Sequence, residues 1–308
     1  MATKKATEKK VIVSASTKSE LSTKKDVVKK VSSAKSKLVA KEIDKVEITL
    51  DAVETKETPV KVNEEVKVAK KSGEKITAEE LFEAGAHFGH VVKKWNPKMR
   101  KFLWGEKNGI HIFDLEKTLL GLEEACKVLS QAAEDGKRIV MVGTKRQAKQ
   151  MLEAEAKRVG VSYITQRWMG GLITNWKQVK QTMDRLNSLK LKRDQGDLKK
   201  FTKKEQVLID KEIVRLERIV GGIATLKNAP ELIVAIDTHK EKLAVKESNN
   251  RKVPVIGLVD SNANPDVVDY PIPMNDDSAK ALQIVISAFG SAIESGMKKK
   301  KDTVVASK

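Results

Sequence analysis

Apolar residues fall along this chain in two patterns. Residues 139–142, 232–236 and 253–259 are short unbroken apolar runs, the signature of strands buried on both faces. Between and around them the spacing changes to helical. Thr77 with Glu80 forms a capping-box pattern ahead of Leu81 and Phe82, which predicts a short first helix. Ile110 to Phe113 is a short strand, and after it Leu115, Leu119, Leu122, Cys126, Leu129 and Ala133 repeat at alternating steps of four and three, one face of a long helix with Cys126 in the core. Further helices are predicted over about 145–159, 239–248 and 278–295, with a short strand at 162–164. Strands alternating with helices predict a doubly wound α/β sandwich around a parallel sheet.

One stretch, about 175–222, breaks this rhythm. Val179, Met183, Leu186 and Leu189 form one narrow stripe; Ile209, Ile213, Leu216, Val220 and Ile223 form another; a polar link with Gly196 separates them. Two heptad-like stripes joined by a polar turn predict an antiparallel coiled-coil helical hairpin protruding from the sheet.

Residues 1–75 contain no aromatic residue and too little apolar surface to offset the entropy of ordering them. They are expected to be a disordered lysine-rich extension. The α/β domain is expected over 76–296 and a basic tail over 297–308. Sixty Lys and Arg against 42 Asp and Glu give a net charge of +18. Nineteen lysines against twelve carboxylates precede residue 76, so the folded part is basic in its own right. An extended polyanion is the fitting partner, rather than a small acidic substrate. A single cysteine, Cys126, excludes an internal disulfide or thiolate cluster and fits a reducing, cytoplasmic setting. Neither a secretion signal nor a membrane-spanning run is read from the sequence.

Few residues suggest chemistry. Gly143-Thr-Lys-Arg-Gln147 lies where a strand gives way to a helix and could hold a phosphate, but the second glycine of a nucleotide-binding P-loop is missing. Asp114, Asp237 and Asp260 each end a predicted strand. There they could hold a metal at the ligand-binding edge of the sheet, although capping the next helix is the simpler role for the first two. His87 and His90 lack an obvious third metal ligand, and His111 and His239 read as structural. No nucleophile elbow is present. The stronger signal is cations interleaved with aromatics: Lys93, Lys94, Trp95, Lys98, Arg100 and Lys101 in one stretch, and Arg167, Trp168, Asn175, Trp176 and Lys177 in another. Cations neutralise phosphates and indole rings stack on bases; the same tryptophans would also serve as core or hairpin-base packing.

Several ordered motifs then converge. Glu83-Ala-Gly-Ala-His-Phe-Gly-His90, Trp95-Asn-Pro-Lys-Met99, Asn108-Gly-Ile-His-Ile112, Leu115-Glu-Lys-Thr118, Val142-Gly-Thr-Lys-Arg146, Arg167-Trp-Met-Gly-Gly-Leu-Ile-Thr-Asn-Trp176, Gly221-Gly222, Pro230-Glu231 and Asn264-Pro-Asp266 resemble the bacterial ribosomal protein S-two family, in its order and spacing, from about Ile76 to Gly296. The resemblance implies a flavodoxin-like parallel sheet with a coiled-coil hairpin. It implies a structural constituent of the small ribosomal subunit, bound to small-subunit rRNA near the head–body junction, which helps retain ribosomal protein S-one and supports translation initiation. No catalysis, cofactor, small-molecule substrate, metal or membrane is implied. The family's basic stretches fall on Lys93 to Lys101, on Lys145 with Arg146, and on Arg167 to Lys177. The long N-terminal extension departs from the family pattern. Two other classes, a nucleotide- or sugar-handling enzyme on the same fold and a free regulatory nucleic-acid binder, lack supporting motifs.

Overall fold

The computed structural model of the chain describes residues 76–306; the extension expected over 1–75 lies outside the described residues. The fold opens with helix α1 (Ala78–Glu83), and Thr77 and Glu80 exchange the two hydrogen bonds of a capping box, as their spacing predicts. A small antiparallel sheet follows, made of β1 (Phe88–Val91), β2 (Leu103–Lys107) and β3 (Ile110–Phe113) in the order β1-β3-β2. Ile110 to Phe113 is therefore a strand outside the parallel sheet. Its partner β2 carries the plainest hairpin signal in the chain, Asn108-Gly109, with φ of 54° and 74°; an Asn-Gly pair tolerates two left-handed residues in succession.

After α2 (Leu115–Glu134) come β4 (Ile139–Val142), α3 (Lys149–Val159), β5 (Ser162–Ile164), α4 (Trp176–Asp194), α5 (Lys203–Val220), β6 (Leu232–Ala235), α6 (Lys242–Asn250), β7 (Val255–Val259), β8 (Tyr270–Pro273) and α7 (Ala279–Ala306). The five later strands form one parallel sheet in the order β5-β4-β6-β7-β8. Counted within this sheet, that is 2-1-3-4-5, the flavodoxin-like arrangement. The unbroken apolar strands serve both faces: Leu232 and Val234 of β6 belong to the core under α2, α3 and α7, whereas Ile233 and Ala235 belong to the opposite core with Trp168, Leu172 and Val245.

Helices α4 and α5 occupy the stretch that broke the alternation, and they pack on each other. The buried positions are Val179, Met183 and Leu186 on α4, and Ile213, Leu216 and Val220 on α5. They join the second core, with Leu189 and Ile209 half-buried beside it. Arg185 pairs with Glu212 at 2.8 Å and Lys190 with Glu217 at 2.5 Å across the two helices.

Helix α7 corrects one expectation. It does not end near Ser295 to release a basic tail; it continues as helix through the lysine run to Ala306. Met297 packs against the core, and Lys298 pairs with Glu294 one turn earlier at 2.8 Å, so the helical register persists where lysines alone read as solvated chain. The α2–α7 contact is close: a Cβ on Gly296 would lie 2.8 Å from the Ala133 Cβ and meet the Ser130 carbonyl oxygen. Gly296→Ala is expected to lower stability by about 1–3 kcal/mol through overpacking, read from urea unfolding. An unchanged midpoint would show that the two helices part freely.

Candidate nucleic-acid interface

Because the sheet is parallel, the ends of its strands share one edge. The loop after β4 begins with Gly143-Thr144-Lys145-Arg146, and the strand order reverses between β4 and β6, the place where flavodoxin-like folds hold ligands. Here the chain engages the donors of that loop itself. Glu241 is buried and accepts hydrogen bonds from the Thr144 backbone N–H at 3.1 Å and from the Thr144 hydroxyl, while Lys240 Nζ donates to the Thr144 carbonyl at 3.0 Å. A backbone N–H that would otherwise face a phosphate is thus taken by a carboxylate.

Beside it lies a buried acidic cluster. Asp237, Asp260 and Asp276 are all at least nine-tenths buried. Lys145 Nζ stands 2.6 Å from both Asp276 and Asp277, and His90 Nδ1 lies 3.0 Å from Asp260. Burial, reinforced by Asp260 and Asp237, pushes the Asp276 carboxyl up to about 8, against the pull of Lys145. The Asp260 hydrogen bond raises His90 above its ordinary value despite burial. His90, Asp276 and Asp277 present ligand atoms within 4.8 Å of one another, a spacing compatible with a cation, although Lys145 already brings a positive charge to the two aspartates.

The histidine pair read from the sequence does not act together. His87 stacks on Phe82 and lies tilted against Phe88, with ring centroids 4.2 and 4.0 Å away, and its Nδ1 is buried without a hydrogen-bond partner among the described residues. His90 turns to the acidic cluster. His111, expected to be a satisfied structural residue, is buried against Trp95 with its Nε2 unpartnered. Asp114 caps α2 through the Glu116 N–H, as its position suggested. Cys126 is half-buried against the core, and burial pushes its thiol up to about 11. Such a thiol stays protonated and unreactive.

The loop between β5 and α4 is organised around one side chain of α6. The Glu247 carboxylate accepts hydrogen bonds from Trp168 Nε1 at 3.2 Å, Gly171 N at 2.8 Å, Ile173 N at 3.3 Å, and Thr174 N and Oγ1 at 3.4 and 3.2 Å. Burial would raise Glu247; these donors outweigh it and hold the carboxyl below its ordinary value. Trp168 is consequently a buried packing residue, 5% exposed, and its indole is not available for stacking on a base. Trp176 is half-buried against the same core. Arg167, Asn175 and Lys177 are exposed around this loop.

The segment after β1 docks on the loop following β7. Asn96 N donates to the Ser261 carbonyl at 2.7 Å, and Lys98 and Lys101 reach Asp266 at 2.8 and 3.6 Å. Lys93, Lys94 and Arg100 are exposed, and no ion pair among the described residues engages them. Arg146 is likewise exposed and Lys145 is not: its side chain is 12% exposed and committed to the aspartates. The structure therefore gathers Lys93, Lys94, Arg100, Arg146, Arg167 and Lys177 from three segments that all attach at the carboxyl edge of the sheet. It sets Lys145 and Trp168 apart as internal supports. Sequence reasoning missed Glu241, Glu247, Asp276 and Asp277. The adjacent Asp276-Asp277 after the apolar run ending in Met274 was a usable signal of a strand-end acidic site, whereas two glutamates on polar helix stretches gave none.

The sequence matches known proteins. The family model described as Ribosomal protein S2 matches residues 81–296. The small ribosomal subunit protein uS2 of Dehalococcoides mccartyi strain CBDB1 is 43% identical over 214 residues, covering 70% of this chain and 87% of the relative. That of Roseiflexus sp. strain RS-1 is 40% identical over 226 residues, 73% and 86% of the two chains. The uS2c protein of Guillardia theta is 42% identical over 221 residues, 72% and 94%. With its sheet order, its motifs and these matches in accord, the chain belongs to the ribosomal protein S2 family.

Proposed function

We propose that the chain binds small-subunit rRNA through the carboxyl edge of its parallel sheet, near the head–body junction, and that it helps retain ribosomal protein S-one. As a family member it is a structural component of the small ribosomal subunit and not an enzyme. Among the described residues no helix is long and apolar enough to cross a membrane, and the reading places the protein on cytoplasmic ribosomes.

The observation that carries the rRNA reading is the gathering of exposed cations without ion-pair partners among the described residues, Lys93, Lys94, Arg100, Arg146, Arg167 and Lys177, on segments sharing one edge. Such cations are solvated and ready to displace counterions from a phosphate backbone. At the crevice where a small ligand would sit, the Thr144 N–H and hydroxyl are already engaged by Glu241, which leaves the exposed cations as the groups offered to a phosphate backbone. In the same reading α4 and α5 form an antiparallel coiled-coil arm reaching a second part of the rRNA, with Lys192, Arg193, Lys204, Lys211 and Arg215 exposed along it. Hydroxyl-radical footprinting of the rRNA tests this directly. Protection by the wild-type chain should be lost at discrete nucleotides with Arg146→Ala and Arg167→Ala; a footprint identical in the double variant would place the RNA elsewhere.

For retention of ribosomal protein S-one the reading uses the small sheet, which exposes apolar side chains. Residues paired across strands share a face, and Phe88 and Gly105 both pair with Ile112, while Val91 pairs with Ile110. Phe88 is 48% exposed, Val91 50% and Trp104, at the irregularity in β2, 77%. Exposed aromatics of this kind suit a protein contact. Phe88→Ser with Trp104→Ser is expected to weaken retention of ribosomal protein S-one on purified subunits by about thirtyfold, the effect of losing a contact hot spot. Unchanged co-pelleting would remove this face from the interaction.

A further inference from the structure

We infer that Glu247 is the positioning residue of the loop between β5 and α4, fixing the direction in which Arg167 leaves it and the point from which α4 starts with Lys177 in its first turn; the inference rests on the rRNA reading of that loop. Every group meeting the carboxylate is a donor. Oε1 accepts from Trp168 Nε1 and Gly171 N, and Oε2 accepts from Ile173 N, Thr174 N and Thr174 Oγ1. The loop is thus wrapped around a buried anion in the way backbone nests wrap bound anions, with the anion supplied by the chain itself.

The wrapping requires one of the loop's glycines. Gly171 has φ of +91°, a conformation other residues rarely adopt, whereas a Cβ on Gly170 would make only an ordinary contact, 3.9 Å from Glu247 Oε1. From the same helix end, Arg251 donates to the Thr174 carbonyl at 3.0 Å. Trp168 and Thr174 are therefore tied to α6, and the two exposed cations lie one residue before the first tie and three after the second. Cations held in fixed directions match a phosphate array better than the same cations on a mobile loop, because ordering them has already been done before binding.

The charge, and not the bulk, of Glu247 does this. A glutamine has nearly the same shape but one acceptor oxygen; whichever way its amide turns, its NH2 faces at least two of the loop's donors. If Glu247 were only a packing residue, glutamine would serve as well.

The test uses the full chain with small-subunit rRNA. In Glu247→Gln, the amides of Gly171, Ile173 and Thr174 should exchange with solvent about tenfold faster or more, and the Trp168 indole N–H resonance should move. The rRNA affinity should fall about tenfold, and the slope of log affinity against log salt should become shallower by about one to two, the loss of one or two phosphate contacts. Glu247→Asp, which keeps the charge, should recover part of the affinity, and Trp168→Phe, which removes one donor and keeps the ring, should reproduce the faster exchange more weakly. Unchanged exchange in Glu247→Gln overturns the inference, as does faster exchange with affinity and salt slope unchanged while Arg167→Ala with Lys177→Ala weakens binding. If that double variant itself binds rRNA like the wild type, the rRNA reading of the loop fails, and with it any role for Glu247 in binding.

Discussion

Replacing Lys145 by methionine is expected to destabilise the protein by about 3–5 kcal/mol above pH 8, the cost of leaving an ionised buried carboxylate without its cation, and by less at lower pH, where Asp276 holds a proton. For a domain of this size that is a fall of roughly 10 °C in the melting temperature. The reason is local. Asp276 is 2% exposed and stands among Asp260 and Asp237, and the ammonium 2.6 Å away is its nearest compensation. The pH dependence has a definite sign. A carboxyl raised from 3.8 to about 8 in the folded protein binds its proton more tightly folded than unfolded, so stability falls as pH rises through that window and levels off above it. His90, raised above 6.5 by Asp260, adds stability present below pH 6.5 that is lost as pH rises through its folded value. Wild-type stability should therefore decline between about pH 6 and 8, Asp276→Asn should flatten the decline, and Lys145→Met should steepen it. Unfolding midpoints at pH 6 and pH 8.5 for the three proteins decide the matter; a Lys145→Met variant as stable as wild type at both would show that the cluster is solvated.

The second large effect concerns binding. Lys93, Lys94 and Arg100, replaced together by alanine, should lower affinity for small-subunit rRNA by between about tenfold and a few hundredfold at moderate salt. The salt slope should become shallower by about 2–3, each lost phosphate contact removing about 0.9. Lys98 and Lys101 should matter less, since both are already paired with Asp266 at the surface, pairs that are weak but must be broken before either lysine turns to a phosphate. Competition filter binding across a salt series measures both quantities. A reduced affinity with an unchanged slope would mean that the segment supports the fold rather than touching phosphates.

These effects bear on what the sequence made legible. The parallel sheet was readable because strands buried on both faces leave no polar alternation: Leu232, Ile233, Val234 and Ala235 have no solvent side. The stripes on α4 and α5 were readable because their apolar spacing is helical and narrow. Strands β1 and β2 were not read because Phe88, Val91 and Trp104 are exposed and produce no buried pattern, though Asn108-Gly109 announced the turn. The basic tail was misread because lysines on a continuing helix and lysines on a free chain look alike in composition; Met297 and the Glu294–Lys298 pair decide between them.

The candidate site was half legible. Exposed cations are visible in a sequence, and Arg167, Arg146 and Lys93 were found that way. Whether a cation is free or spent is a matter of tertiary contact. Lys145 belongs to the same motif as Arg146, yet Asp276 and Asp277, 131 residues away for the first pair, claim it. Trp168 likewise reads equally as a stacking or a packing residue until Glu247, 79 residues away, is seen to hold its indole. In this chain the motif therefore mixes exposed residues such as Arg146 and Arg167 with internal supports such as Lys145 and Trp168.

The most direct measurement is sucrose-gradient sedimentation of the full chain with small ribosomal subunits depleted of their own copy, across a series of salt concentrations. Wild-type chain should co-migrate with the subunits and be released only at high salt, while the Lys93, Lys94 and Arg100 triple variant is released at markedly lower salt. Chain remaining at the top of the gradient at every salt concentration would contradict the account.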